Sequence, residues 1–294
     1  SKENGLWLMD ISSNVIHPLM TYEKIEDVDI RTRNDNSHLR ILSVDDEGNV
    51  EVLTFGYVNR GENEGMVGVS LYHYGAEQNA VEEKVFIPFN QPYEILKETV
   101  GKLAYVNENN VMYLMLNGNI YSVDLTGNEY VPVVSDLSDD KYQVNANGDY
   151  IAWQMENEIS TLDLETGVEQ VIQAEQGKVI CLLGYVQNDL VYGVADSNMV
   201  QTDQNGITTT YMSELRIVNE NGELLKSYSN PSYYFTDILI EENMITLHRV
   251  MQSAETGALM AAPDYQVFGN EQQASNVVAT SVITTERKKQ ELVL

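Results

Sequence analysis

Basic residues are scarce in this chain: 17 Lys+Arg stand against 45 Asp+Glu in 294 residues, a formal net charge of −28. A surface of that sign repels phosphate backbones and anionic lipid, which argues against nucleic acid and membrane surfaces as partners. Cysteine is almost missing. Cys181 alone cannot build a disulfide framework or a multi-cysteine metal site. Its setting, Val-Ile-Cys-Leu-Leu, is an apolar strand and not the electropositive, accessible place that a reactive thiolate needs. Long apolar runs are absent too. None approaches the roughly 20 residues that span a bilayer, so no membrane insertion of this segment is expected. The opening Ser1-Lys2-Glu3-Asn4 lacks the basic start and apolar run of a signal peptide. It reads as a boundary inside a longer chain whose signal or anchor lies elsewhere. The expected location is extracytoplasmic or at the cell surface, although one unpaired cysteine suits a cytoplasmic protein almost as well.

What is present is strand. The hydrophobic share of 43% is that of a folded protein. Helical patterns are confined to short stretches near Tyr22–Val28 and Tyr93–Val100, read as connections. Elsewhere, runs rich in Val, Ile, Tyr, Thr and Leu alternate with Asn, Asp, Gly and Glu. Asn117-Gly118 between Val111–Leu116 and Asn119–Leu125 is a strong hairpin signal, because both central residues of a type I′ turn need positive φ. The hairpin recurs. Ile120-Tyr-Ser-Val-Asp124 before Gly127 is copied by Ile159-Ser-Thr-Leu-Asp163 before Gly167, and by Leu215-Arg-Ile-Val-Asn219 before Gly222. Weaker copies are Leu6–Asp10, the stretch around Leu71 that ends at Gly75, and Tyr265–Gly269. Taking Asp10, His73, Asp124, Asp163, Asn219 and Gly269 as equivalent, the separations are 63, 51, 39, 56 and 50 residues. A four-stranded propeller blade takes about 40–50 residues, a solenoid repeats more strictly, and a sandwich does not repeat one hairpin so often. The expected fold is therefore all-β: a single β-propeller over 1–294 with six four-stranded blades, or seven, and an incomplete or shared closing blade. The chain opens with what look like a blade's third and fourth strands. Either the tail 284–294 lends a strand to that first blade, or ring closure needs residues outside this sequence.

The uneven spacing has a place. Extra residues fall before the repeated strand at Asn59–Gly65, Asp196–Met212 and Gln252–Pro263. On a propeller that connection lies on one rim, and loops on a rigid scaffold carry function. Asn59, Arg60, Glu62, Glu64, Asp196, Asn198 and Gln252 are the candidate binding residues there. Arg60 is a rare cation that either pairs with Glu62 or Glu64 or holds an anionic ligand. Among 25 aromatics, Trp7 and Trp153 are assigned to blade cores. Tyr233 and Tyr234, after Asn230-Pro231, either begin an inner strand or present rings to a sugar or protein partner.

The Ile-Tyr-x-Val-Asp-x-x-Gly pattern resembles the broad superfamily of WD-repeat-like, TolB-like and YVTN-type propellers. It covers about 5–283, without the Trp-Asp and Gly-His marks of true WD repeats. The acidic, Tyr-rich style also resembles propeller domains on the surface of Gram-positive bacteria. That likeness implies a location and no reaction.

Catalytic signatures are few. His17, His38, His73 and His248 show no ligand spacing, so no metal site is assigned. Asp45–Gly48 and Asp203–Gly206 place Gly too early for an EF-hand and read as β-turns. No Gly-x-Ser-x-Gly elbow occurs, and Gly61–Gly65 sets carboxylates where a phosphate cradle needs none. No catalytic residue and no cofactor is assigned. The expected function is a non-catalytic module that holds a protein, peptide or glycan on one rim, as a monomer. The alternatives are a propeller glycoside hydrolase or lyase using two converging carboxylates, and a sensory or structural domain of a membrane-anchored protein.

Overall fold

A computed structural model describes residues 5–10, 15–21, 37–58, 62–127, 129–241, 243–253, 255–268, 280–284 and 288–292. Strand dominates the described residues and helix is confined to short stretches, in agreement with the all-β expectation. A hairpin of β1 (Gly5–Asp10) and β2 (Val15–Thr21) comes first. Five antiparallel sheets follow. The first runs β3 (Ser37–Val44), β4 (Val50–Tyr57), β5 (Val67–Gly75) and β6 (Ala80–Pro88). Helix α1 (Tyr93–Thr99) leads into the second: β7 (Val100–Val106), β8 (Val111–Leu116), β9 (Asn119–Asp124) and β10 (Glu129–Val134). The third is β11 (Tyr142–Val144), β12 (Tyr150–Met155), β13 (Glu158–Asp163) and β14 (Glu169–Gln173). The fourth begins with β15 (Lys178–Val186) and β16 (Asp189–Asp196). A small hairpin of β17 (Val200–Thr202) and β18 (Thr208–Thr210) is inserted there, before β19 (Glu214–Val218) and β20 (Leu224–Ser229) complete the sheet. In the fifth, β21 (Tyr234–Glu241) pairs with β22 (Met244–Gln252), whose other edge takes both β23 (Leu259–Ala261) and β24 (Tyr265–Phe268). The last described hairpin is β25 (Thr280–Thr284) with β26 (Lys288–Leu292).

The cores make this a propeller. Strand β8 is apolar at every position, the mark of a strand buried on both faces. Its period of two sends Met112, Leu114 and Leu116 against Leu53, Phe55 and Leu71 of the first sheet. Tyr113 and Met115 pack against Ile151 and Trp153 of the third. Ala152 and Ile159 of the third then meet Ile180, Leu190 and Tyr192 of the fourth. Val191, Leu215 and Ile217 of the fourth meet Phe235, Ile245 and Leu247 of the fifth. Each inner sheet thus shares one core with its predecessor and another with its successor. Fully burying a side chain such as Leu114 contributes about 2–3 kcal/mol. The fourth strands are the wet ones: Tyr130 and Val131 on β10 are exposed, as is Val171 on β14.

The repeated aspartate has a local cause. Asp124 Oδ1 accepts the backbone N–H groups of Thr126 and Gly127 at 2.8 and 3.1 Å. Asp163 Oδ1 does the same for Glu165 and Thr166 at 2.9 and 3.1 Å, and Asn219 Oδ1 for Asn221 and Glu223 at 3.0 and 2.9 Å. The residue that ends each third strand therefore shapes the turn into the fourth. Asn117 and Gly118 take φ of 52° and 72°, as a type I′ turn requires.

Three expectations need correction or placement. Trp153 is core, but Trp7 is 45% exposed, because β1 belongs to a two-stranded hairpin and not to a complete sheet. The tail strand β26 bonds to β25, and β1 bonds to β2, in separate sheets, so the tail adds no strand to the first hairpin. The stretch 22–28 lies outside the described residues.

Candidate binding rim

Strand order fixes two rims. In an antiparallel sheet successive connections alternate ends. The second-to-third-strand connections therefore share an end with the sheet-to-sheet connections, here called the upper rim. Turns between first and second strands, and between third and fourth, form the lower rim. All three long insertions join second to third strands: 58–66 between β4 and β5, 197–213 between β16 and β19, and 253–258 between β22 and β23. The corresponding connections in the second and third sheets are the two-residue turns Asn117-Gly118 and Glu156-Asn157. The upper-rim connections are therefore long over the first, fourth and fifth sheets and short over the second and third.

A cavity of about 540 Å³ opens beside the short connection of the second sheet, with Asn117 and Gly118 in its lining. It is lined from the first strands of three consecutive sheets: Arg40 of β3, Gly101 and Lys102 of β7, and Tyr142 of β11. Its existence traces to a bulge. Val100 pairs with Leu116 and Ala104 with Leu114, so Gly101, Lys102 and Leu103 together face only Met115. Such a bulge takes backbone groups out of the ladder and re-aims them. Arg40 Nη1 donates to the Gly101 carbonyl at 3.1 Å and the Lys102 carbonyl at 3.4 Å. The Tyr142 hydroxyl lies against the same bulge at Gly101. Gly101 is there for want of room, since a Cβ would lie 2.8 Å from the Tyr142 hydroxyl and 2.3 Å from Met115 Cγ. Burial holds the Arg40 guanidinium below its usual range, partly offset by Tyr142. The cavity also takes Glu98 and Asp139 into its wall.

The sequence-predicted residues that the structure describes are scattered along this rim. Asn59 and Arg60 lie outside the described residues. Glu62 and Glu64 are exposed in the turn between β4 and β5. Asp196 ends β16 and pairs with Lys178 at 2.7 Å, while Asn198 is exposed just beyond it. Gln252 Nε2 donates to the Gly257 carbonyl at 3.0 Å and so closes its own turn. Tyr234 begins the inner strand β21. Tyr233 sits under Arg249, whose guanidinium carbon is 4.2 Å from that ring and 5.1 Å from Tyr265. Arg249 Nε also donates to the Pro263 carbonyl at 2.8 Å, stitching the break between β23 and β24. No sequence signal pointed to Arg40, Gly101 or Lys102, because a register shift between β7 and β8 creates their site.

The lower rim holds a different arrangement. His73 Nδ1 lies 2.7 Å from Glu51 Oε1, beside a cavity of about 660 Å³ lined also by Glu47, Asn49, Glu77 and Gln78. Burial pushes the Glu51 carboxyl up, against the pull of His73. Its Oε2 is buried with no hydrogen-bond partner. His38 bonds to the Tyr93 hydroxyl at 2.5 Å and His248 to Asp264 at 3.2 Å. Among the described residues no three His, Cys, Asp or Glu side chains converge as a metal site would require. Asp203 Oδ1 accepts from Asn205 and Ile207, a β-turn as expected. Cys181 is half-buried on β15, and burial pushes its thiol up, away from nucleophilic reactivity.

No protein-family model matches the sequence, and no curated protein matches it. Among solved structures, the chain is similar to one from the mitotic checkpoint complex, at 11% identity, covering 89% of this chain and 74% of that one, with a TM-score of 0.35. It is also similar to the β-propeller domain of the Trilobed protease from Pyrococcus furiosus, described as having an open velcro topology. There the identity is 11%, the coverage 80% and 69%, and the TM-score 0.34. For dipeptidyl peptidase 4 of Porphyromonas gingivalis the identity is 7% and the TM-score 0.23, with 72% of this chain and 44% of that one covered. Strand order and the interleaved cores define the fold.

Proposed function

We propose that this chain is a non-catalytic binding module whose upper rim holds a protein segment. One observation carries the reading: the upper-rim connections between second and third strands are long on three sheets and only two residues long on the second and third, and the turn Asn117-Gly118 of the second lines the cavity. Its volume lies within the range of about 300–1,000 Å³ usual for ligand sites. The inserted β17–β18 hairpin projects exposed Ile207 from its tip, an apolar contact typical of a partner surface. With −28 net charge, neutral or basic partners are favoured over anionic ones.

The test is selection from a displayed random-peptide library together with a glycan array. Three proteins are compared: the unaltered chain, a variant with residues 200–210 replaced by a short turn, and a lower-rim variant, Glu77→Ala with Gln78→Ala. The reading expects peptide enrichment that weakens with the hairpin replacement and survives the lower-rim change. Enrichment indifferent to the upper rim, or no enrichment at all, contradicts it.

A further inference from the structure

We propose that the cavity lined by Arg40, Gly101, Lys102 and Tyr142 binds the free C-terminal carboxylate of a basic peptide, with Arg40 as its anchor. The proposal rests on the upper rim being the binding face and names what that face recognises. Three arginines lie among the described residues, and their settings differ. Arg216 is held by Glu214 at 2.8 Å and Glu175 at 3.0 Å. Arg249 is flanked by two tyrosine rings and stitches a strand break. Arg40 lines the cavity, is half-buried, and is bonded to neutral carbonyls. In a chain with 45 acidic residues, no described carboxylate pairs with it.

A half-buried guanidinium that lies over the Phe55 ring and is bonded to two carbonyls has no ion-pair partner among the described residues in direct contact with it. A carboxylate entering the cavity supplies that partner, in the planar geometry that guanidinium groups accept best. The two bulge carbonyls fix where Arg40 stands, so less side-chain freedom is lost on binding. Lys102 lines the same cavity and gives a second cation. Glu98 and Asp139 on its wall suit a ligand that is basic beyond its terminus, and the field of the whole molecule draws such a ligand in. A sugar acid fits less well. Tyr142 is the aromatic among the lining residues, and it is buried, so it offers no open face for stacking.

The experiment is calorimetric titration of short basic peptides made with free C-termini, the same peptides as amides, amides carrying an internal Glu, and oligogalacturonates. Free acids are expected to bind about tenfold more tightly than their amides, the worth of one charge-assisted contact. Arg40→Gln is expected to erase that preference, and Arg40→Lys to keep part of it, with thermal melting confirming that each variant folds. If Arg40→Gln does not fold, the acid and amide comparison on the unaltered protein decides alone. Equal binding of acids and amides, no peptide binding, or a preference that survives in Arg40→Gln overturns the proposal. So does equal or tighter binding of the internal-Glu amides, or of the oligogalacturonates. If peptide binding depends on the β17–β18 hairpin but not on the terminus, the rim reading stands and this proposal falls.

Discussion

Asn107 and Asn145 occupy matching places, each just past the first strand of its sheet, and each is buried. Asn107 Oδ1 accepts the backbone N–H groups of Asn109 and Val111, while its Nδ2 donates to the Leu164 carbonyl of the next sheet at 3.0 Å. Asn145 Nδ2 likewise reaches Asn188 of the next sheet at 2.9 Å. Asn107→Ala should therefore cost about 1–3 kcal/mol, the penalty for stranding buried partners, in urea unfolding; exposed Glu108→Ala should cost almost nothing. The repeated Asp124 and Asp163 were legible in sequence because their partners lie two and three residues on. The Asn clasps were not, because Leu164 is 57 residues from Asn107. Glu51 gives a second prediction. Its folded carboxyl is raised by burial, so the folded state holds its proton more tightly than the unfolded chain does. Stability is then withheld at neutral pH and recovered as pH falls toward the usual carboxylate range. Glu51→Gln should raise the melting temperature at pH 7, and the gain should shrink on acidification. A gain that is constant with pH would refute the burial argument.

The strands and turns carry a second contrast. Gly101 and Gly148 are both single glycines near the start of a sheet, yet they are needed for different reasons. Gly148 has φ +81° with nothing within 4 Å of a built Cβ, so Gly148→Ala should cost about 1 kcal/mol of left-handed strain and Gly148→Asn less. Gly101 has no such φ but has Met115 and Tyr142 against it. Gly101→Ala should cost about 1–3 kcal/mol through overpacking, with Asn giving no relief. Equal responses to Ala and Asn at both positions in chemical denaturation would count against this division. Strand identity and insertion lengths could be read beforehand, since alternation and turn residues are local signals. The cavity could not, because two extra residues in β7 look like ordinary strand until β8 is laid beside them.

For the whole molecule, the repeat spacing predicted the propeller because every blade must bury both faces of its middle strands, and that demand is written into runs such as Val111–Leu116. The candidate site was only partly legible. Insertion positions pointed to the upper rim, where Asp196 and Gln252 turn out to be committed to local partners. Net charge sets a global behaviour: self-repulsion at −28 should lift the melting temperature as salt rises from about 0.01 M to 0.15 M, where the screening length falls from about 30 to 8 Å. A melting temperature indifferent to salt would mean the charges are already neutralised in pairs. The central claim, that one rim binds, is tested most directly by hydrogen–deuterium exchange with and without a rim-selected peptide. Protection is expected at 99–102, 117–118 and 139–144 and across the β17–β18 hairpin, with 45–49, 76–79 and 107–110 on the lower rim unchanged. Protection centred on the lower-rim turns, or none on the upper rim at saturating peptide, would contradict the account.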